Sequence, residues 1–236
     1  MEKIRLNKYL ASLGIGSRRE IDLMVIHGKI RVNGEIPSSG LKVDENDIIL
    51  VNDKKIYKKK TKKVYFLLNK PINTLSSVKD DRGRTTVVDI INTKERIFPI
   101  GRLDYRTTGL LILTNDGELF NRLIHPRSQV YKKYQVEING ILDNNQIEIL
   151  QKGILLDDGL TLPAAINVIF ASRHSSILKI SIREGRNRQV RRMINTLGYD
   201  VLSLRREKIG ELSIDGLKEG EYRELTKKEV EYLYSL

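Results

Sequence analysis

Residues 100–117, IGRLDYRTTGLLILTNDG, set an arginine and a carboxylate, Arg102 and Asp104, two residues apart between a glycine and an apolar run. Loops at strand ends are held by a rigid scaffold, which is where reactive side chains are often placed. An ionised Asp104 can act as a nucleophile, and a guanidinium close by favours the ionised form. On residue types alone, Arg102 and Asp104 serve equally well as an ion pair that satisfies a loop. Two further stretches hold groups of use to such chemistry. Residues 131–136, YKKYQV, carry Tyr134 on an alternating, strand-like pattern, and residues 184–193, EGRNRQVRRM, crowd Arg186, Arg188, Arg191 and Arg192 around Val190. There is no cysteine, and His27, His125 and His174 fall in separate regions, so neither thiol chemistry nor a metal site is expected. No phosphate-binding G-x-x-x-x-G-K-[ST] loop is present, and no cofactor is expected.

The elements that must hold these groups can be read from periodicity and punctuation. Residues 64–68 form an apolar strand run stopped by Asn69-Lys70-Pro71, and residues 109–113 form a second, ended by Asn115-Asp116-Gly117. Strands are also predicted at 134–138 and 177–182. Helices are predicted at 118–125, 144–152, 187–197 and 226–234, the last opened by a capping box of Thr226 and Glu229. Strands and helices intermix without regular βα alternation, which predicts an α+β fold on a mixed or antiparallel sheet.

Residues 54–63, KKIYKKKTKK, hold seven lysines in ten positions, a run that repels itself and reads as a linker. It separates a small module, residues 1–53, from a larger one, residues 64–236. In the small module Leu6, Leu10 and Leu13 have helical spacing up to Gly14. Ser17-Arg18-Arg19-Glu20 is a capping box that opens a second helix with Ile21, Met24 and Val25 on its apolar face, and His27-Gly28 ends it. Strands at 29–32 and 48–51, with an Asn33-Gly34 turn after the first, complete a small sheet. Lys8, Arg18, Arg19, Lys29 and Arg31 are left to face outward as a nucleic-acid grip, or as a merely solvated basic face.

Formal net charge is +12, and residues 1–63 hold 15 Lys+Arg against 8 Asp+Glu, so a quarter of the chain carries more than half of the excess. A balance of that kind favours a polyanionic partner. Residues 183–208 add eight Lys+Arg against three Asp+Glu, and Arg186, Arg188, Arg192, Arg205, Arg206 and Lys208 read as further nucleic-acid contacts or as a solvated basic face. The charged start of the chain has no signal-peptide core, and no apolar stretch approaches the ~18 residues of a membrane span. A soluble, cytoplasmic protein is expected.

Residues 6–34, LNKYLASLGIGSRREIDLMVIHGKIRVNG, resemble the alpha-L (S4-like) RNA-binding module, a resemblance that covers nearly all of residues 3–51. It implies a grip on structured RNA through phosphates, with Ser17, Arg18 and Arg19 opening the second helix. Residues 100–117 resemble the signature of pseudouridine synthases, in the RsuA/RluB-like branch that modifies ribosomal RNA, and residues 131–136 and 184–193 match that family in order and spacing. The resemblance extends over almost the whole chain. It implies isomerisation of uridine to pseudouridine with Asp104 as nucleophile, Arg191 as its basic partner, Val190 as an apolar floor and Tyr134 stacked on the base. Arg102 would fill the hole left by the flipped nucleotide, with Arg186, Arg188 and Arg192 on the substrate. The implied partner is ribosomal RNA or an assembling ribosomal subunit, met by a monomer. GSRRE at 16–20 and EGRNR at 184–188 look more like the large-subunit (23S) enzymes than the small-subunit (16S) ones. A non-catalytic RNA-binding assembly factor would account equally for the charge and the first module. A DNA-binding regulator would leave most of the chain unexplained.

Overall fold

The structure, a computed structural model, describes residues 3–57, 62–125 and 128–236. The chain forms two compact units, the first comprising residues 1–64 with short pieces at 94–96 and 115–117, the second the remainder.

The first unit runs β1 (Ile4–Arg5), α1 (Leu6–Ser12), α2 (Arg18–Ile26), β2 (Ile30–Val32), β3 (Lys42–Val43), β4 (Ile49–Val51) and β5 (Lys54–Lys55). Its core is small and apolar: Leu6, Leu10, Ile21, Ile30, Val43 and Ile49 are buried together. The start of α2 is set locally. The Ser17 hydroxyl accepts from the Glu20 N–H at 3.1 Å, and the Glu20 carboxylate accepts from the Ser17 N–H at 2.6 Å. Asn33 and Gly34 both take positive φ, 52° and 92°, as a two-residue turn between Val32 and Glu35 requires. The strand that pairs with β2 is β4, and β4 in turn pairs with β5. Lys54 and Lys55 therefore belong to this sheet and not to a linker, because their backbones pair while their side chains stay exposed. Residues 58–61 of the lysine run lie outside the described residues.

The second unit runs β6 (Tyr65–Lys70), β7 (Phe98–Ile100), β8 (Thr108–Thr114), α3 (Gly117–Ile124), β9 (Lys132–Ile138), α4 (Asn144–Lys152), β10 (Leu155–Leu156), β11 (Gly159–Leu160), β12 (Ala165–Ala171), β13 (Ser176–Ile182), α5 (Gln189–Thr196), β14 (Val201–Ile209), β15 (Leu212–Ser213), β16 (Tyr222–Glu224) and α6 (Lys227–Ser235). One large sheet has the order β12-β13-β9-β14-β8-β6-β16, with β7 and β15 attached to β8 and β14. Every pairing in it is antiparallel except β8 with β14. The α+β class and mixed sheet are as expected. Leu67, Leu110, Ile112, Leu119, Leu123, Leu225 and Leu233 form the core on one face, with α3 and α6 contributing. Helix α6 is fastened by Thr226 and Glu229 as a capping box and by Arg223, whose guanidinium forks onto Glu229 at 2.8 and 2.6 Å.

Strand and helix ends differ from expectation by a residue or two in several places, and two of these differences bear on the site. Strand β6 continues through Asn69 and Lys70 instead of stopping there, because both side chains are buried and Lys70 pairs with Gly109. Helix α5 starts at Gln189, since Arg188 takes the left-handed conformation, φ 48° and ψ 31°, which a helix cannot contain.

Candidate active site

Asp104 sits on a turn pinned from several directions. Leu103 beside it is buried, and the Ser76 hydroxyl donates to the Leu103 carbonyl at 2.8 Å while accepting from the Leu103 N–H at 3.1 Å. The Thr107 N–H closes the turn on the Asp104 carbonyl at 2.9 Å, and the Asn73 N–H donates to the Tyr105 carbonyl at 2.9 Å. These bonds fix the backbone, while the Asp104 side chain keeps 31% exposure and can meet a ligand. Beneath the turn lies Lys70, fully buried, whose ammonium donates to the carbonyls of Thr107 at 2.8 Å and Pro71 at 2.9 Å. Burial pushes this ammonium down to about 8, against the opposing pull of the Glu219 and Asp104 carboxylates. The sequence reading treated Lys70 as strand punctuation and passed over Ser76. A lysine two positions past the five-residue apolar run at 64–68 was the one available signal.

Two arginines of the 184–193 segment bear on Asp104 in different ways. The Arg188 guanidinium is 4.0 Å from the Asp104 carboxylate. Arg191 is buried, and its terminal nitrogens donate to the carbonyls of Val201 at 3.1 Å and Arg106 at 3.2 Å. Burial lowers the Arg191 pKa, Arg188 and Arg106 push the same way, and Asp104 alone opposes them. The expected direct Arg191–Asp104 pair is therefore replaced by two separate roles. Arg188 makes the ionic approach, and Arg191 is a buried charge tying the segment after Asp104 to the start of β14.

Arg186 and Arg192, expected on the substrate, are committed elsewhere. Arg186 bonds Glu184 at 3.1 Å, Asp158 at 3.1 Å and the carbonyls of Gly159 and Leu160. Arg192 pairs with Asp157 and, at 2.7 Å, with Asp158. Together they clamp the β10–β11 hairpin to α5, and the acids neutralise them. Arg206 is likewise not an outward RNA contact: it is buried, and its Nε donates to the Leu110 carbonyl at 2.8 Å. Arg205 and Lys208 are exposed, as is Arg102, while Val190 is buried on α5.

Tyr134, buried on β9, lies in a cross-strand row with Ile180, Arg206, Gly109 and Lys70. In the first unit Lys8, Arg18, Arg19, Lys29 and Arg31 are all exposed, whereas Ser17 is the helix cap just described. Among the described residues no cluster of three or more His, Asp or Glu offers a metal site, and no helix is long and apolar enough to cross a membrane. The arrangement is a partly exposed carboxylate on a stiff turn, close to the cationic side chains of Arg188, Arg191 and Lys70.

Comparison with known proteins bears on what this carboxylate does. Residues 64–196 match the RNA pseudouridylate synthase family model, and residues 4–49 match the S4 domain. The ribosomal large subunit pseudouridine synthase B of Bacillus subtilis is 43% identical, the alignment covering 98% of this chain and 96% of the relative. The dual-specificity RNA pseudouridine synthase RluF of Escherichia coli is 33% identical, over 99% of this chain and 79% of its own. A solved structure described as a pseudouridylate synthase aligns with a TM-score of 0.71 at 31% identity, over 98% of this chain and 99% of that one.

Proposed function

The chain belongs to the RNA pseudouridylate synthase family, with an S4 domain at its N-terminal end, and on that premise we propose that it converts uridine to pseudouridine in the 23S RNA of the large ribosomal subunit, with Asp104 as nucleophile. The observation that carries the assignment of Asp104 is its place on a turn pinned through Leu103, Tyr105 and Thr107, its carboxylate open to a ligand and 4.0 Å from Arg188. Full-length similarity to a relative named for the large subunit favours 23S over 16S RNA.

The reaction breaks the bond from the ribose to uracil nitrogen, turns the base, and rejoins it through carbon, with that carbon's proton lost and a proton gained at the freed nitrogen. Nothing is oxidised and no group is gained. A uridine stacked in RNA is out of reach of Asp104, so it must swing out of the stack. Arg102, exposed at the head of the turn, occupies the gap in this reading. Tyr134 offers a ring for the uracil to stack on and a hydroxyl to help remove the proton. The exposed cations of the S4 domain hold RNA through its phosphates, supplying affinity more than choice of sequence. The enzyme acts as a monomer, on RNA or on an assembling subunit.

Mapping pseudouridine across ribosomal RNA from cells with and without the gene tests this reading. One 23S position should lose its pseudouridine in the deletion. Loss at a 16S position instead would move the substrate, and an unchanged map would count against the activity.

The two arginines should separate kinetically. Arg191→Met removes a buried charge and unties the Arg106 carbonyl, and is expected to lower kcat about 100-fold. Arg188→Met weakens only a solvent-facing approach to the carboxylate and is expected to lower kcat about tenfold. Single-turnover rates on unmodified 23S RNA check the order, and the reverse order would mean that the Arg188 approach to the carboxylate counts for more than the buried Arg191 tie.

A further inference from the structure

Strands β12, β13, β9 and β14 form one end of the large sheet, and they pair with each other in antiparallel fashion throughout. Their side chains alternate. Val136, Ile138, Leu178, Ile180 and Leu204 are buried on the face that holds Tyr134. The residues between them point the other way and are exposed or half-buried, which is the pattern of an antiparallel sheet with one solvated face.

The pairing register sorts this open face into rows. One runs Arg205, Gln135, Lys179, Asn167, and the row on one side of it runs Ser203, Glu137, Ile177, Phe170. On the other side lie Lys208, Lys133, Ser181 and Ala165. Tyr131 and Arg183 stand one row further, the Arg183 guanidinium lying over the Tyr131 ring, 4.9 Å from its centre.

The face is cationic. Lys179 bonds both Gln135 and Glu207, and the glutamate cancels its charge. Arg183, Arg205, Lys133 and Lys208 have no carboxylate partner among the described residues. The acid left over is Glu137, which accepts from the Ser203 hydroxyl at 3.2 Å. Arg205 and Lys208 therefore look away from Tyr134 and take no part in the site around Asp104.

Two exposed rings border these cations. Tyr131 is 48% exposed at one end, and Phe170 is 55% exposed on the edge strand. Single-stranded RNA matches that surface, because its phosphates meet the cations while its bases stack on aromatic and guanidinium planes. A duplex would reach the cations but offer no open base to the rings. The sheet itself separates this face from Tyr134 and Lys70, so RNA bound here is a different stretch from the one that presents the uridine.

We propose that the open face of β12-β13-β9-β14 is a second RNA site, taking a single-stranded segment of the ribosomal RNA. Arg205, Lys133 and Lys208 contact its phosphates, and the Arg183–Tyr131 pair lies beneath one of its bases. The proposal rests on the RNA substrate given above and adds a hold on that RNA across the sheet from the reacting nucleotide.

The probe is a fluorescent oligocytidylate of about 12 nucleotides, unstructured and without a uridine to react. It is titrated against the full chain carrying Arg18→Gln and Arg19→Gln, which reduces the share of the S4 domain, and against the same chain with changes on the open face. Tyr131→Ala should weaken binding about tenfold. Arg205→Gln with Lys208→Gln should reduce the slope of log Kd against log salt by about 1.4. Melting temperatures should stay within about 2 °C, since the three side chains are exposed. With the S4 domain intact, the paired change should raise KM on in vitro transcribed, unmodified 23S RNA about tenfold and leave kcat as it is. No binding by the parent chain, or an affinity and slope that ignore the changes, would overturn the site; the latter is the result expected if a protein covers this face instead. Binding needs no turnover. If the wild-type chain forms no pseudouridine but the variants still lose oligocytidylate, the site stands and the proposed reaction falls. If the reaction is found and binding is unaltered, this site alone falls.

Discussion

Asp104→Asn is expected to lower the rate of pseudouridine formation at saturating RNA by about 10,000-fold or more, with RNA affinity and thermal stability nearly unchanged. Asparagine has the shape of aspartate but neither its charge nor its nucleophilic oxygen. The turn should survive the change, because the bonds that shape it run through the backbone and through Ser76 and Lys70, not through the Asp104 carboxylate. The one ionic approach lost is that of Arg188 at 4.0 Å, half exposed and worth little to folding. Release of the carbon-bound proton from labelled uridine in 23S RNA reads the rate, and a filter-binding isotherm reads the affinity. An Asp104→Asn enzyme within about tenfold of wild type would remove the carboxylate from the centre of the mechanism.

Gly109→Ala should be the most damaging change in the fold outside the core. A Cβ at this position would lie 2.2 Å from the Arg206 carbonyl oxygen and 2.7 Å from its nitrogen, both backbone atoms that cannot step aside. The residue also holds φ at 105°, which side-chain-bearing residues rarely adopt. Strain and collision together should cost more than about 4 kcal/mol, a large part of the roughly 5–15 kcal/mol by which a folded domain is stable. Gly101→Ala is the control: its φ is 74°, but a Cβ there meets nothing within 4 Å, so it should cost only about 1–2 kcal/mol. Urea unfolding compares them. Similar midpoints for the two variants would show that the close approach of β8 to β14 relaxes more easily than its geometry implies.

Features set by neighbours in the chain were legible in the sequence. The Ser17–Glu20 box, the Asn33-Gly34 turn and the helix at 144–152 depend on residues within a few positions of each other. Features set by distant partners were not. Arg186 and Arg192 sit in a basic run and read as a cationic surface, yet the acids that neutralise them, Asp157 and Asp158, lie about thirty residues upstream on a hairpin. Nothing in 184–193 announces that pairing. Lys70 was hidden for the opposite reason. Charged residues at strand ends are usually boundaries, and only the folded turn supplies the two carbonyls that let this one be buried. The Asp104 segment stood out through family resemblance; on physics alone it was a plausible loop ion pair.

The single parallel pairing in the large sheet, β8 with β14, has a consequence for how the enzyme comes into being. Its register contacts are Arg205 with Thr108 and Arg206 with Gly109, and Arg206 bonds the carbonyl of Leu110, 96 residues earlier in the chain. Asp104 lies on one side of that seam, and Tyr134, Arg188 and Arg191 come from elements on the other. The β6–β8 and β9–β13–β12 pairings on either side can zip from nearer contacts, whereas this junction, like the β6–β16 edge, closes a long loop against chain entropy. Recovery of activity during refolding therefore reports closure of the seam, and spectroscopic signals from helices or hairpins will run ahead of it. A truncated or circularly permuted chain regains the reaction only if both halves of the sheet meet there.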